Sequence, residues 1–308
     1  MLPRCRLLRA FMLPAILTTL LWSCSAICAA RSARLVGGAA ANVARIMIAM
    51  VLLGVWSHAF GWGLGGPALP WFLVSGFVGF GLGDLAMFAA LQRVGPRLTM
   101  LLTHCVAAPL AAGTEWIWLG TRLGWKEMAC GAAILAGVAL ALAPDRGLSV
   151  SRSNFWVGVL CGIGSACGQG FGSVLSRKAN LAAEAAGMSV DGGTAAYERI
   201  AAGLVVAVAF ALVMRRTHPS APPVPGAWRR AWGWIAANAL AGPSVGVACY
   251  QWALTTTPTG LLMPVVATVP VVTQFVVWLL DGVRPTRRTL VGGIIAAGGV
   301  GALRYLTS

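Results

Sequence analysis

Windows free of Asp, Glu, Lys and Arg run over 10–30, 46–83, 98–114, 128–144, 153–176, 200–214, 231–280 and 289–303. A helix crosses the hydrocarbon of a bilayer with about 20 apolar residues, so most of these windows suit one crossing. Two are too long. The window 46–83 holds Gly61-Trp62-Gly63-Leu64-Gly65-Gly66-Pro67, and 231–280 holds Thr255-Thr256-Thr257-Pro258-Thr259-Gly260. Both runs break a helix with a turn. Splitting them predicts ten spans: 10–30, 38–60, 71–91, 98–119, 128–144, 154–174, 194–214, 231–254, 260–280 and 289–306. The polar stretches 175–193 and 215–230 are too short for domains. The second, with Pro219, Pro222, Pro223 and Pro225, reads as a stiff connector.

Composition agrees with lipid rather than water as the solvent. Charged residues are 10% of the chain and mean hydropathy is +0.80; a soluble domain carries roughly 25% charged residues. The formal charge is +15. The basic residues fall in short runs beside apolar stretches, as in Arg93 and Arg97 or Arg287 and Arg288. Such residues bracket spans and meet headgroups, and no basic stripe interleaved with aromatics points to nucleic acid. The eight cysteines show no CxxC and no metal-ligand spacing; most lie in apolar stretches, where a thiol acts as a small hydrophobe. Arg4, Arg6 and Arg9 before an apolar run imitate a signal peptide, but the run to Ala30 is long enough to span and reads as a retained first helix.

The features recur. Gly131-Ala-Ala-Ile-Leu-Ala-Gly-Val138 resembles Gly293-Ile-Ile-Ala-Ala-Gly-Gly-Val300. Pro109 and Pro270 sit inside apolar helices upstream of each. Ala90-Leu91 and Ala253-Leu254 come earlier, each followed by proline, and Ala44-Arg45-Ile46 parallels Glu198-Arg199-Ile200. Five helices recur, and five is odd, so the second half enters the membrane from the opposite side. The fold expected is an all-α membrane protein of ten transmembrane helices in two inverted five-helix repeats, 10–144 and 154–306, an architecture of secondary transporters.

The order of Leu20-Leu21-Trp22-Ser23, Arg45, Ala107-Ala108-Pro109-Leu110, Gly158, Ser176-Arg177-Lys178, Val269-Pro270-Val271 and the glycines from Gly292 to Gly301 resembles the drug/metabolite transporter superfamily, in its ten-helix EamA-like branch. The chain departs from it near Thr121 and Val283, where the family usually has a glutamate; Asp281 is close but displaced. The resemblance implies a secondary active transporter of the bacterial inner membrane that exports a small metabolite, amino acid or drug-like compound by alternating access. It implies no cofactor and no metal. It leaves a homodimer open, and the termini are expected inside the cell.

Ionisable residues within spans are costly in hydrocarbon and usually face a cavity or a partner. Arg45, Asp84 and His104 each lie six or seven residues from helix ends on one side of the membrane, so all three sit roughly 10 Å below the same surface. They are read either as an Arg45–Asp84 ion pair or as groups that handle substrate or protons, His104 as a relay. Glu115, Glu198 and Arg199 lie near span ends and read as interfacial anchors. Uncharged candidates for the cavity are Ser23, Ser165, Gln169, Tyr250, Gln251 and Thr268, with Trp22, Tyr197 and Gln274. Gly158 and Gly162, and Gly164, Gly168 and Gly172, have the spacing of closely packed helices.

Two other functions compete. A multi-pass enzyme acting on a lipid-linked or intramembrane substrate needs a nucleophile motif or clustered ligands, but Ala166 follows Ser165 and the three histidines are scattered. A channel needs a polar stripe or filter, and none is visible.

Overall fold

The computed structural model describes residues 2–143, 151–217 and 224–307. Pro219, Pro222 and Pro223 of the expected connector, and position 144 at the expected end of the first repeat, lie outside them. The helices are α1 Leu2–Val36, α2 Gly38–Phe60, α3 Leu69–Gly76, α4 Asp84–Leu119, α5 Trp125–Leu142, α6 Arg152–Ala185, α7 Gly192–Thr217, α8 Ala227–Ala239, α9 Val245–Thr256, α10 Thr259–Val266, α11 Val269–Asp281 and α12 Arg287–Thr307.

Among the described residues, eight stretches are long and apolar enough to cross a membrane. One of them, Leu69–Leu119, has 51 residues. At about 1.5 Å per residue it would reach more than twice across the hydrocarbon. It doubles back at Gly95, whose φ of 74° and ψ of 171° lie outside the helical region. A side chain rarely adopts that φ, and Pro96 follows with no N–H to continue the ladder. The sequence break expected between 91 and 98 is this turn. The α8–α9 stretch adds a further helical run outside those eight.

Short π-helical segments join α3 to α4 (Phe77–Gly83) and α8 to α9 (Leu240–Ser244). The two segments start 163 residues apart, the same offset that separates Ala90 from Ala253. Each half therefore places a π turn at the same point of its third helix. Such turns are uncommon and gather at functional sites.

Glycine decides how closely the rods approach. A Cβ on Gly158 would run into Val94, one on Gly162 would lie 2.8 Å from Leu102, and one on Gly172 would lie 3.2 Å from both the Ser75 carbonyl and Gly79 Cα. Gly168 and Gly83 oppose each other. The four-residue glycine spacing of α6 thus faces α3 and α4, without the penalty that side chains would impose. The two similar octets meet as well. A Cβ on Gly137 of α5 would lie 2.5 Å from the Gly292 carbonyl and 2.6 Å from the Ala296 nitrogen of α12. Leu142, Leu254, Leu262 and Leu303 fill the core between these helices. Val51, Val55, Ile117, Val205, Leu279 and Ile294 point outward, as lipid-facing residues must.

Two span ends differ from those expected. Charge placed the end of the sixth span at 174, but α6 continues through Arg177 and Lys178 to Ala185. The last span before α12 is not one helix. Pro270 has no N–H, and the chain steps at Ala267–Thr268 between α10 and α11.

Candidate functional site

A cavity of about 540 Å³ lies between the two halves. Ala33, Gly38 and Pro96 line it near the end of α1, at the start of α2 and at the Gly95 turn within α4, so it opens on the side of the membrane where those turns lie. Trp22, Ser173, Arg199 and Tyr250, from inside α1, α6, α7 and α9, line its depth. Both π turns reach it, through Gly79 and Phe80 and through Gly242 and Pro243.

Of the expected site residues, Arg45, Asp84, His104, Gln169 and Tyr250 line this cavity, as does Trp22. The Arg45–Asp84 ion pair, one of the two readings, is not formed: no N···O contact within 4.0 Å joins them, although their charges attract. The Arg45 Nε instead donates to Asn42 Oδ1 at 2.8 Å, on its own helix. The Asp84 carboxylate makes no hydrogen bond or ion pair with any described residue, and neither does the His104 ring. Val247, the repeat counterpart of Asp84 by the 163-residue offset, also lines the cavity. Tyr250 exchanges a hydrogen bond of 2.6 Å with Ser173, donates to Met263 Sδ at 3.0 Å, and lies with its ring centroid 5.3 Å from that of Trp22.

Four expected site residues do not line the cavity. Ser23 is fully buried and its hydroxyl donates to the Thr19 and Val269 carbonyls at 2.7 and 3.1 Å. Thr268 donates to the Val265 carbonyl at 2.6 Å, closing the step before Pro270. Gln251 follows Tyr250 by one residue, roughly 100° around the helix, and is buried away from the cavity. Ser165 is on the stripe of Gln169 and Ser173 but is covered by packing. Nor does Tyr197 line it; its ring packs edge-on against His58. Gln274 accepts from Thr289 at 2.9 Å.

The anchor readings are also corrected. Glu198 is 0% and Arg199 6% exposed, and Glu115 is 1% exposed. Arg199 belongs to the cavity. Glu115 belongs to the closed side. Its Oε2 accepts from the Thr259 N–H at 2.6 Å, and Oε1 lies 3.8 Å from Arg177 Nε. Arg177 Nη1 donates to the Leu254 and Thr255 carbonyls at 2.8 and 2.5 Å. Nearby, Asp191 ties α7 to α2. Its Oδ1 accepts from the N–H groups of Gly193 and Thr194 and from Trp56 Nε1 at 2.9, 3.1 and 2.8 Å. Burial pushes the Asp191 carboxyl up, but donors from Thr194, Trp56 and Gly193 outweigh it and hold it below the usual carboxylate range.

Sequence reasoning missed Ser173, Asn42 and the bonded pair Ser25–Asn238, whose oxygens are 2.7 Å apart. The four-residue step from Ser165 through Gln169 was the available signal for Ser173. Ser25 and Asn238 stand on different helices, and no spacing links them.

A multi-pass helical protein whose two halves wall a cavity open to one side has the build of a secondary transporter. The sequence profile of the EamA-like transporter family matches residues 10–143 and again 156–305, and the chain belongs to that family. Its members are transporters, which removes the membrane-enzyme reading. No curated protein sequence matches this one. A protein of known crystal structure superposes with a TM-score of 0.75 over 97% of each chain at 22% identity, a likeness of fold.

Proposed function

We infer that this transporter works in a bacterial inner membrane and exports a small metabolite, amino acid or drug-like compound by alternating access, driven by an ion gradient. Asp84 carries this reading. A carboxylate that makes no hydrogen bond or ion pair with any described residue, and feels Arg45 and Arg199 only through space, stands in a cavity inside the membrane, where the other half of the chain manages with Val247. The scaffold therefore does not need a charge at this point, and an unneeded charge in hydrocarbon marks a site of function. Asp84 binds a proton or a cationic group of the substrate, and His104 lines the same path.

The test is export from cells challenged with amino acids, metabolites and toxic compounds, followed by flux in vesicles with Asp84→Asn. The variant is nearly isosteric. Lost flux at normal folded yield supports the reading, and unchanged flux at every pH overturns it.

A further inference from the structure

We propose that the cavity holds its substrate by a carboxylate docked on the guanidinium of Arg199, so that the substrate class is small carboxylates with an apolar body, free acids or amino acids. This rests on the transport reading only for calling the ligand a substrate.

Arg199 is 6% exposed and lines the inner part of the cavity. Its guanidinium forms no hydrogen bond or ion pair with any described residue, and Nε is buried without a partner. Asp84 attracts it through space but forms no ion pair with it. A buried cation with no anion in contact is costly, so an anion that enters the cavity and bonds the guanidinium directly completes the site. The planar fork of arginine matches a carboxylate with two parallel hydrogen bonds.

The surroundings are shaped to this side chain. The Arg199 guanidinium carbon stands 5.2 Å from the centroid of the Phe80 ring. A Cβ on Gly79 would lie 3.1 Å from Arg199 Nη2, and one on Gly76 would collide with the Arg199 carbonyl. The π turn thus makes room for the guanidinium and gives it an aromatic face, while Gly76 lets the two backbones approach closely. The repeat counterpart behaves differently. Arg45 is half-buried and gives its Nε to Asn42. Two arginines and one aspartate leave the cavity with one positive charge in excess, which a carboxylate neutralises. Trp22, Phe80, Phe88 and Met100 supply apolar walls for the rest of the molecule.

The test uses the full chain purified in detergent, with thermal unfolding at constant ionic strength. The probes are acetate, benzoate and hydrocinnamate, each against its primary amide and the amine of the same shape. The expected result is that at least one carboxylate raises the midpoint more than its amide and its amine. Arg199→Gln removes that difference, and Arg31→Gln, at an arginine outside the cavity that pairs with Asp281, keeps it. No carboxylate preference in the native protein overturns the proposal, and so does a preference that survives Arg199→Gln. Should Arg199→Gln fail to fold, Arg199→Lys decides. It keeps the charge and loses the fork, so carboxylate affinity falls roughly tenfold; unchanged affinity overturns the proposal. Vesicle flux of the same probes is scored separately. Arg199-dependent binding without flux keeps the anion site and removes its reading as a transport site. Flux that does not depend on Arg199 removes the anion site alone.

Discussion

Glu115 and Arg177 come from different halves of the chain and hold the same α9–α10 turn, one by its N–H at Thr259 and the other by its carbonyls at Leu254 and Thr255. The turn lies on the closed side of the cavity. Breaking a buried charged pair costs about 3–5 kcal/mol. Glu115→Ala is therefore expected to lower stability by roughly that amount and to loosen this side. Ser176, fully buried beside Ser75 at 2.8 Å, reports it. Ser176→Cys should resist a membrane-impermeant maleimide alone and react once Glu115→Ala is added. Equal reactivity in both backgrounds would show that the clamp does not seal. By contrast, Arg31 and Asp281 pair at 2.6 Å while partly exposed, and Arg31→Gln is expected to cost no more than about 1 kcal/mol.

The α5–α12 contact predicts a strong dependence on one hydrogen atom. Gly137→Ala places a methyl against the backbone of α12, and its neighbours there are not flexible side chains. Overpacking of this kind costs about 1–3 kcal/mol. Gly298→Ala, on α12 with open space around it, is the matched control. Thermal unfolding in detergent should show a lower midpoint for the first and none for the second.

Asp191 predicts a pH effect. Its folded carboxyl titrates below the usual range, so the stability it adds is present above the unfolded value of about 3.9. That stability is lost as pH falls through the lower folded value. Asp191→Ala removes the α7 cap and costs about 1–2 kcal/mol near neutrality. The gap between native and variant midpoints should close as pH drops below about 3. A gap that stays constant down to acid pH would assign the loss to packing against Trp56 rather than to the charge.

By the Pro109–Pro270 correspondence, His104 has its repeat counterpart in Val265, which is buried in the core. The fold therefore tolerates valine at this point of the helix. His104→Val is expected to purify in native yield and to lose flux or its pH dependence. A collapsed yield with flux per folded molecule intact would make His104 a packing residue.

The sequence by itself determined the rods, their pairing into halves and much of one wall of the site. Charge-free windows, glycine runs and the order of prolines reflect a constraint that acts on every segment separately: each must satisfy its backbone within itself and bury no charge in lipid. Arg45, Asp84 and His104 could be placed at one depth because each is a fixed number of residues from a helix end. Depth along a helix is local information. Direction around it is not, and direction separated Tyr250 from Gln251, while packing from neighbouring helices covered Ser165 on the stripe that Gln169 shares. The tertiary structure alone decided which polar faces meet. It turned Ser23 and Thr268 to nearby carbonyls, parted Arg45 from Asp84, and extended α6 so that Arg177 reaches Glu115. It also carried Arg199, which lies near a span end in the sequence, to the inner part of the cavity. Contacts between helices far apart in the chain are set by where glycines let backbones approach, and two glycines show this only when their helices are side by side.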